Sequence, residues 1–391
     1  MVETTDNSAV LALRPGDVVV LSRDGLDALI SALREADYDV TGPTVRNAAI
    51  VPGPVSSTSD LPVGYRDEQS AGRYRVVKED DERCFQWTVG PGSWKGEFFP
   101  SKQEQWRAVR SGETYTFVEP RFESPSLAIF GARPCEVAAI GVLDKVLSQG
   151  TYGDARYVSR RRDLFVVVAE CGAPASTCFC TSMGTGPGAS DGFDLSLSEI
   201  SDAGGHRFVV RVGSERGGAI LSTVARERAS SEDLVARERL LEDAETTMSR
   251  RMPSGIAAVL AHSQESPRWS EIAERCLSCA NCTLVCPTCF CSDVHDVTDL
   301  SGAVIRERTW SSCFDLEHSY LHGGSVRASG GSRYRQWMTH KLSTWWDQFD
   351  ASGCVGCGRC IAWCPVGIDI TEEAALFEQD AQLPEPEASA R

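Results

Sequence analysis

Short continuous apolar runs at Val18–Leu21, Ser126–Phe130, Leu164–Ala169 and Phe208–Val212 predict strands, the central two buried on both faces. Between the first and second of these, Leu26, Leu29, Ile30 and Leu33 recur at helical spacing behind Asp24, which predicts a capped amphipathic helix. Ser126–Phe130 runs through Gly131-Ala-Arg-Pro134 into a helix expected from about Cys135 to Leu147. Residues 41–75 are rich in Pro, Gly and Ser and carry only weak strand character, while Val89–Pro100 reads as an extended segment and turn. Ser230 or Ser231 caps a long helix with Leu234, Leu241 and Met248 at heptad spacing. Breaks at Met252–Gly255 and Ser266-Pro267 precede a short helix from Trp269 to Arg275. Farther on, Tyr334, Trp337, Met338, Leu342, Trp345 and Phe349 share one helical face and are expected in the core. The alternation predicts an α+β protein in which an N-terminal mixed α/β domain precedes a mainly helical domain. Expected boundaries are 1–255, 256–381 and a mobile acidic, Pro-rich tail at 382–391, with residues 1–16 a loosely held arm.

Two stretches in the second domain change the picture from fold to chemistry. Cys276–Pro287 reads CLSCANCTLVCP and Cys354–Pro365 reads CVGCGRCIAWCP. Both follow Cys-x2-Cys-x2-Cys-x3-Cys-Pro, the bacterial ferredoxin pattern for [4Fe-4S] clusters, in which the fourth cysteine of each run serves the other cluster. The spacing therefore assigns one cluster to Cys276, Cys279, Cys282 and Cys364, and a second to Cys354, Cys357, Cys360 and Cys286. A tetrahedral zinc site also uses Cys-x2-Cys pairs, but has no use for the remaining cysteines of each run or for the prolines. The 66 residues 288–353 between the runs form an insertion containing Cys289, Cys291 and Cys313, which are expected to be packed groups rather than ligands. His318 and His322 fall on one helix face just before Gly323-Gly324, and a structural role is expected for them.

A third group of thiols lies in the first domain. Cys135 begins a helix after one buried strand, Cys171 follows the next, and Cys178 and Cys180 sit in the loop TCFCTSMGTGPG. Loops after the strands of an α/β sheet gather at one edge. Four cysteines converging there are the right number for a third [4Fe-4S] cluster, with buried structural thiols as the alternative. Gly184, Gly186 and Gly188 lack the strand-to-helix context of a dinucleotide loop and are expected to pack beside the thiols. Cys84, without a nearby partner in the sequence, is expected to be a buried apolar group.

The chain has 391 residues, 16 cysteines and a formal charge of −16. That charge disfavours nucleic acid and anionic membranes as partners. One basic stretch, Arg327–Lys341, reads as a protein contact, a counter-charge for clusters or a solvated face. MVETTDNSAV has neither the basic start nor the apolar core of an export signal, and no apolar run approaches a membrane span. A reducing, cytoplasmic setting is expected, in which cysteines bind metal rather than form disulfides. No nucleotide-binding fingerprint, nickel-binding pair of Cys-x2-Cys motifs at the termini, or paired-carboxylate constellation is visible, so no catalytic residue is assigned.

GARPCEVAAIGVLDKVL, TCFCTSMGTGP, CLSCANCTLVCPTCFC, HGGSVR and SGCVGCGRCIAWCPVGIDITEE together resemble a known family over most of the chain. The sequence is similar to the iron–sulfur beta subunit of cytoplasmic NAD(P)-linked [NiFe] hydrogenases, the sulfhydrogenases. The electron-input, iron–sulfur component of anaerobic sulfite reductase belongs to the same family. RYRQWMTHKLSTWWDQF resembles the hydrogenase branch. The family's Arg-Pro-Cys and Thr-Cys-x-Cys segments fall on Cys135, Cys178 and Cys180. Two departures are Glu136, where relatives often have Asp, and Ala280, where they often have Gly. The resemblance implies an electron-transfer subunit whose partners are the large and small [NiFe] hydrogenase subunits and a flavin, NAD(P)-binding subunit. The alternatives are an electron-input role beside a siroheme sulfite reductase, and a non-redox module whose clusters brace the fold or sense oxygen.

Overall fold

The computed structural model describes residues 12–120 and 126–382. Its centre is the parallel pair Leu127–Ala132 and Phe165–Ala169, with Ala128 opposite Phe165 and Ile129 opposite Val166. These strands are covered on both faces, which is why they read as unbroken apolar runs. Asp39–Arg46 joins in parallel on one side and Leu195–Asp202 on the other. Ala49–Pro54, Gly205–Val212, Val18–Leu21 and Glu227–Arg228 extend the sheet antiparallel to eight strands. One face packs on the Arg23–Glu35 helix through Leu26, Leu29, Ile30 and Leu33, and the other on Pro134–Leu147 through Ile140 and Leu143.

The crossover between the two central strands runs through the Pro134–Leu147 helix, so Cys135 lies at the carboxyl end of one strand. Cys171 follows the carboxyl end of the next. The helices from Ile256 onward and the two cysteine runs pack around a second core of Met252, Leu260, Trp269, Ile272, Trp337, Met338, Ile361 and Phe377, which also takes Phe179 from the loop at that edge.

A four-stranded antiparallel sheet crosses between the halves of the sequence. Thr114–Val118 and Lys102–Ser111 form a hairpin, and Ser292–Thr298 and Val304–Trp310 form another. Val304–Trp310 pairs with Lys102–Ser111, with Val304 opposite Ala108 and Thr309 opposite Lys102. The insertion between the cysteine runs thus adds two strands to a sheet begun some two hundred positions earlier in the chain.

Several expectations change. The arm expected over residues 1–16 lies outside the described residues up to position 11. Beyond that point it is anchored, the Leu13 amide donating to Ser222 Oγ at 3.0 Å and Gly16 N to the Val212 carbonyl at 2.9 Å. The tail lies outside the described residues from position 383. Ser22, not Asp24, caps the first helix, accepting from Gly25 N at 3.2 Å, while Asp24 sits in the first turn where its charge suits the helix dipole. Residues 39–54 and 65–78 form two full hairpins, stronger strand structure than their composition suggested. Leu234 of the heptad series is exposed, whereas Met248 is buried. His318 and His322 share no helix: a single turn at Glu317–Ser319 leads into a two-residue strand, and His322 is exposed at the turn that follows. Among the described residues, no helix is long and apolar enough to cross a membrane.

Candidate iron–sulfur centres

The two cysteine runs have the same backbone twice. Cys276 ends the Arg268–Arg275 helix, Ser278 (φ 51°) and Ala280 (φ 65°) are left-handed, and a helical turn follows at Asn281–Leu284. In the second run the equivalent left-handed positions are Gly356 (φ 65°) and Gly358 (φ 74°), followed by Arg359–Ala362. Ala280 therefore holds, at a strain cost, a conformation that glycine adopts freely in the second run. The curl turns backbone amides onto sulfur: Ser278 N lies 3.4 Å from Cys276 Sγ, Gly356 N 3.4 Å from Cys354 Sγ, and Ile368 N 3.3 Å from Cys364 Sγ. Donors placed this way spread the charge of a thiolate.

Three groups of thiols result. Cys276, Cys279, Cys282 and Cys364 line one cavity together with Cys360, Phe314, Tyr334, Trp337 and Ile368. Cys279 is exposed, as are its neighbours Leu277 and Leu284 and, across the cavity mouth, Val366. Cys354, Cys357, Cys360 and Cys286 form the second group: burial first, and then the charges of the other three, push the Cys360 thiol well above its ordinary value. Cys135, Cys171, Cys178 and Cys180 line a third cavity, which Cys357 also borders, closed by Arg133, Pro134, Gly186 and Pro187. Among the described residues no three His, Cys, Asp or Glu side chains are grouped as a single metal ion would require. The donors are instead thiols set around cavities from several sides, a donor chemistry that suits iron–sulfur clusters.

The third group depends on close approach of two loops. Phe179 N donates to the Gly356 carbonyl at 2.9 Å. A Cβ on Gly356 would stand 2.6 Å from Cys180 Cα, and one on Gly358 2.4 Å from the Thr177 carbonyl oxygen. Met248 Sδ lies 3.8 Å from Cys180 Sγ and 3.3 Å from Thr181 Oγ1, so the long helix reaches the same edge. Gly186 leaves room beside Cys180 Sγ, and Gly188 beside Leu241, so this glycine series packs the thiol loop.

Buried charges hold these loops. Arg133 donates to the carbonyls of Ala169 (3.2 Å), Glu170 (3.1 Å), Phe85 (3.0 Å) and Trp87. Arg359, 1% exposed, pairs with Glu136 and donates to Gly90 O at 2.8 Å and Gly92 O at 3.0 Å. Burial alone would lower the Arg359 pKa, but the Glu136 carboxylate and neighbouring thiols hold it above the ordinary value. Glu136 also accepts from Trp94 Nε1 at 3.0 Å and Arg133 N at 3.1 Å. Glu136 therefore ties the Pro134–Leu147 helix to the second cysteine run through Arg359.

Two buried lysines add charge at these loops: Lys341 ends the stretch for which a counter-charge was one expectation, and Lys95 was not singled out by the sequence. Lys341, 4% exposed, donates to Cys286 Sγ at 3.3 Å, Thr288 Oγ1 at 3.0 Å and Gly353 O at 2.9 Å. It stands in a π-helical stretch, His340–Thr344, within the helix that buries Tyr334, Trp337 and Met338. Lys95, 3% exposed, donates to the Cys286 and Cys289 carbonyls at 3.1 and 2.9 Å and lies 3.8 Å over the Trp310 ring. The basic stretch Arg327–Lys341 is thus no surface patch: Arg333 and Lys341 are buried, and Lys341 is a counter-charge at a cysteine.

Burial pushes the Cys135, Cys178 and Cys282 thiols well above their ordinary value, and Cys180 and Cys354 up to about 12. Such thiols give up their protons only to a group that takes the negative charge, as iron does. Cys84 is fully buried, and burial likewise pushes it up to about 12, in keeping with an apolar role. Cys289 contacts Cys286, whereas Cys291 and Cys313 contact each other and Cys291 contacts His318.

Residues 275–368 match the family model described as a 4Fe-4S dicluster domain. The chain is 34% identical over 245 residues to sulfhydrogenase 2 subunit beta of Pyrococcus furiosus, an alignment covering 62% of this chain and 71% of the relative. No solved structure matches.

Proposed function

The chain belongs to the family of sulfhydrogenase beta subunits, and from that premise we propose that it is an electron-transfer subunit of a hydrogenase, relaying electrons through three [4Fe-4S] clusters. The carrying observation is that the three thiol groups share borders. Cys360 of the second group lines the cavity of the first, and Cys357 of the second lines that of the third. Cys276, Cys279, Cys282 and Cys364 hold one cluster, Cys354, Cys357, Cys360 and Cys286 the second, and Cys135, Cys171, Cys178 and Cys180 the third. When bound, such clusters supply one-electron transfer at low potential.

The chain's own groups give the relay direction in space. Phe314, Tyr334 and Trp337 exclude water on the inner side of the first cavity, while exposed Cys279, Leu277, Leu284 and Val366 mark its outer side. A partner protein docked on that apolar rim brings its redox centre nearest the first group. Lys341 and Lys95 place positive charge at Cys286, which favours the more negative, reduced state of the second centre. We assign the partners as large and small [NiFe] hydrogenase subunits and a flavin subunit that exchanges electrons with NAD(P), in the cytoplasm. We keep the domain division at 255/256, which coincides with the start of the Ile256–His262 helix.

Anaerobic isolation of the native complex tests this reading, with metals and partners identified. About twelve irons on this chain are expected for three [4Fe-4S] clusters, whereas about eight would remove the third. Nickel and a flavoprotein in the complex support the hydrogenase relay, and siroheme in their place would overturn it in favour of sulfite reduction.

A further inference from the structure

Cys291 and Cys313 belong to none of the three cluster groups, yet they meet. Cys291 immediately precedes the Ser292–Thr298 strand, and Cys313 follows its partner Val304–Trp310 by three residues. Ser292 faces Trp310 across the ribbon, and Ser311 N donates to the Cys291 carbonyl at 2.9 Å, so the register brings the two cysteines together at the ribbon's root. The Cys291 and Cys313 thiols meet there, and the His318 imidazole reaches the Cys291 sulfur. His318 is held in turn by Ser311 Oγ at 3.3 Å from Nδ1, with Asp293 Oδ1 at 4.0 Å. All three side chains are partly exposed.

We propose that Cys291, Cys313 and His318 form a redox-active dithiol site that reduces a small-molecule disulfide. Cys291 attacks, since it is the sulfur that the His318 imidazole meets, and Cys313 resolves. In the first step the Cys291 sulfur bonds to one sulfur of the substrate, the substrate S–S bond breaks, and the leaving thiolate takes the proton carried by His318. In the second, the Cys313 sulfur bonds to Cys291, the mixed disulfide breaks, and the second substrate half leaves with the proton lost by Cys313. Two electrons pass from the cysteine pair to the substrate, and the protein is left with a Cys291–Cys313 disulfide. Restoring the dithiol takes two electrons and two protons, and that half of the cycle rests on the relay reading above. The electrostatics agree with the roles: the bond from Cys313 and the nearby imidazole lower the Cys291 pKa, while Cys313 and His318 are raised by the same contacts. His340 and Arg327 act on the same group, His340 favouring the Cys291 thiolate and Arg327 opposing the charge on His318.

The test uses anaerobic, cluster-loaded protein mixed with 5,5′-dithiobis(2-nitrobenzoate), reading thionitrobenzoate release, with cluster EPR recorded on the same samples. Wild type is expected to release one equivalent rapidly and a second at the rate of ring closure, and peptide mapping to show a Cys291–Cys313 link. Cys313→Ser is expected to stop after one equivalent with the label on Cys291. His318→Asn is expected to slow the first phase roughly tenfold through loss of thiolate. A fast phase mapping to another cysteine, or no Cys291–Cys313 link in wild type, overturns the proposal even if the variants fail to fold. Normal cluster signals in that case leave the relay standing, whereas absent signals beside a normal two-phase release break the relay and leave the dithiol site.

Discussion

At the scale of residues, the eight cysteines of the two runs were legible as candidate ligands because a cluster imposes fixed spacing on the chain, and Cys-x2-Cys-x2-Cys-x3-Cys-Pro occurs twice. The charges around them were not. Burying a lysine is costly unless a partner compensates, and the partner of Lys341, Cys286, is 55 positions away. Lys341→Met removes a charge-assisted hydrogen bond of ~1.5–3 kcal/mol from a thiolate, so the second centre is expected to become about 60–130 mV more negative. An EPR-monitored redox titration checks this, and an unchanged potential would deny Lys341 its role. Gly358 shows the same dependence on distant neighbours. Gly358→Ala meets both a left-handed backbone and the Thr177 carbonyl. We expect it to cost at least ~1–2 kcal/mol from the backbone alone and to lower the iron content of the third group ahead of the first, read by thermal melting and iron analysis.

Among elements, the strands covered on both faces declared themselves, and those that face solvent did not. Leu164–Ala169 is a plain apolar run, whereas Ser292–Thr298 is exposed along nearly its whole length and its identity comes only from pairing. The long helix was legible from its cap, where Ser230 Oγ accepts from Asp233 N at 3.2 Å and the Asp233 carboxylate accepts from Ser230 N at 2.9 Å. Its docking was hidden in the pair Arg237–Glu170. Arg237 Nε and Nη2 reach the Glu170 carboxylate at 2.8 and 2.7 Å, one residue before Cys171. Burial alone would raise Glu170, but the Arg237 bond outweighs it and holds the carboxyl below its ordinary range. Stabilisation from a depressed carboxyl is complete above that range and is lost as pH falls through the depressed value. Arg237→Ala is expected to cost about 1.5–3 kcal/mol at neutral pH, the worth of hydrogen bonds to a charged group, because Glu170 keeps Ser198, Ala189 N and the more distant Arg211. Denaturant melts should show the gap from wild type narrowing on acidification, where Glu170 takes up a proton in the variant. A pH-independent gap would assign the loss to packing instead.

Over the whole molecule, the mixed α/β part and the dicluster part were both expected, but the way they are fastened was not. The helix breaks at Met252–Gly255 and Ser266-Pro267 suggested the domain boundary, while the fastening lies elsewhere, in the thiol edge of the large sheet and in the four-stranded sheet shared by distant segments. Cys357 stands at the meeting point, so Cys357→Ala is expected to abolish or convert the second cluster and to disturb the third, with the first retained. Iron analysis and EPR on the anaerobic variant decide this, and a full iron complement would overturn the ligand set. The shared sheet also dictates an order of events during synthesis. As the chain leaves the ribosome, the hairpin of Lys102–Ser111 and Thr114–Val118 emerges with one long edge open, and its mate Val304–Trp310 is made only after the first cysteine run. Until then that edge is a template for any passing strand. Nascent protein therefore spends about half of its translation as an aggregation-prone intermediate carrying unligated thiols, and iron delivery after the ribbon has closed is the safer sequence for the cell.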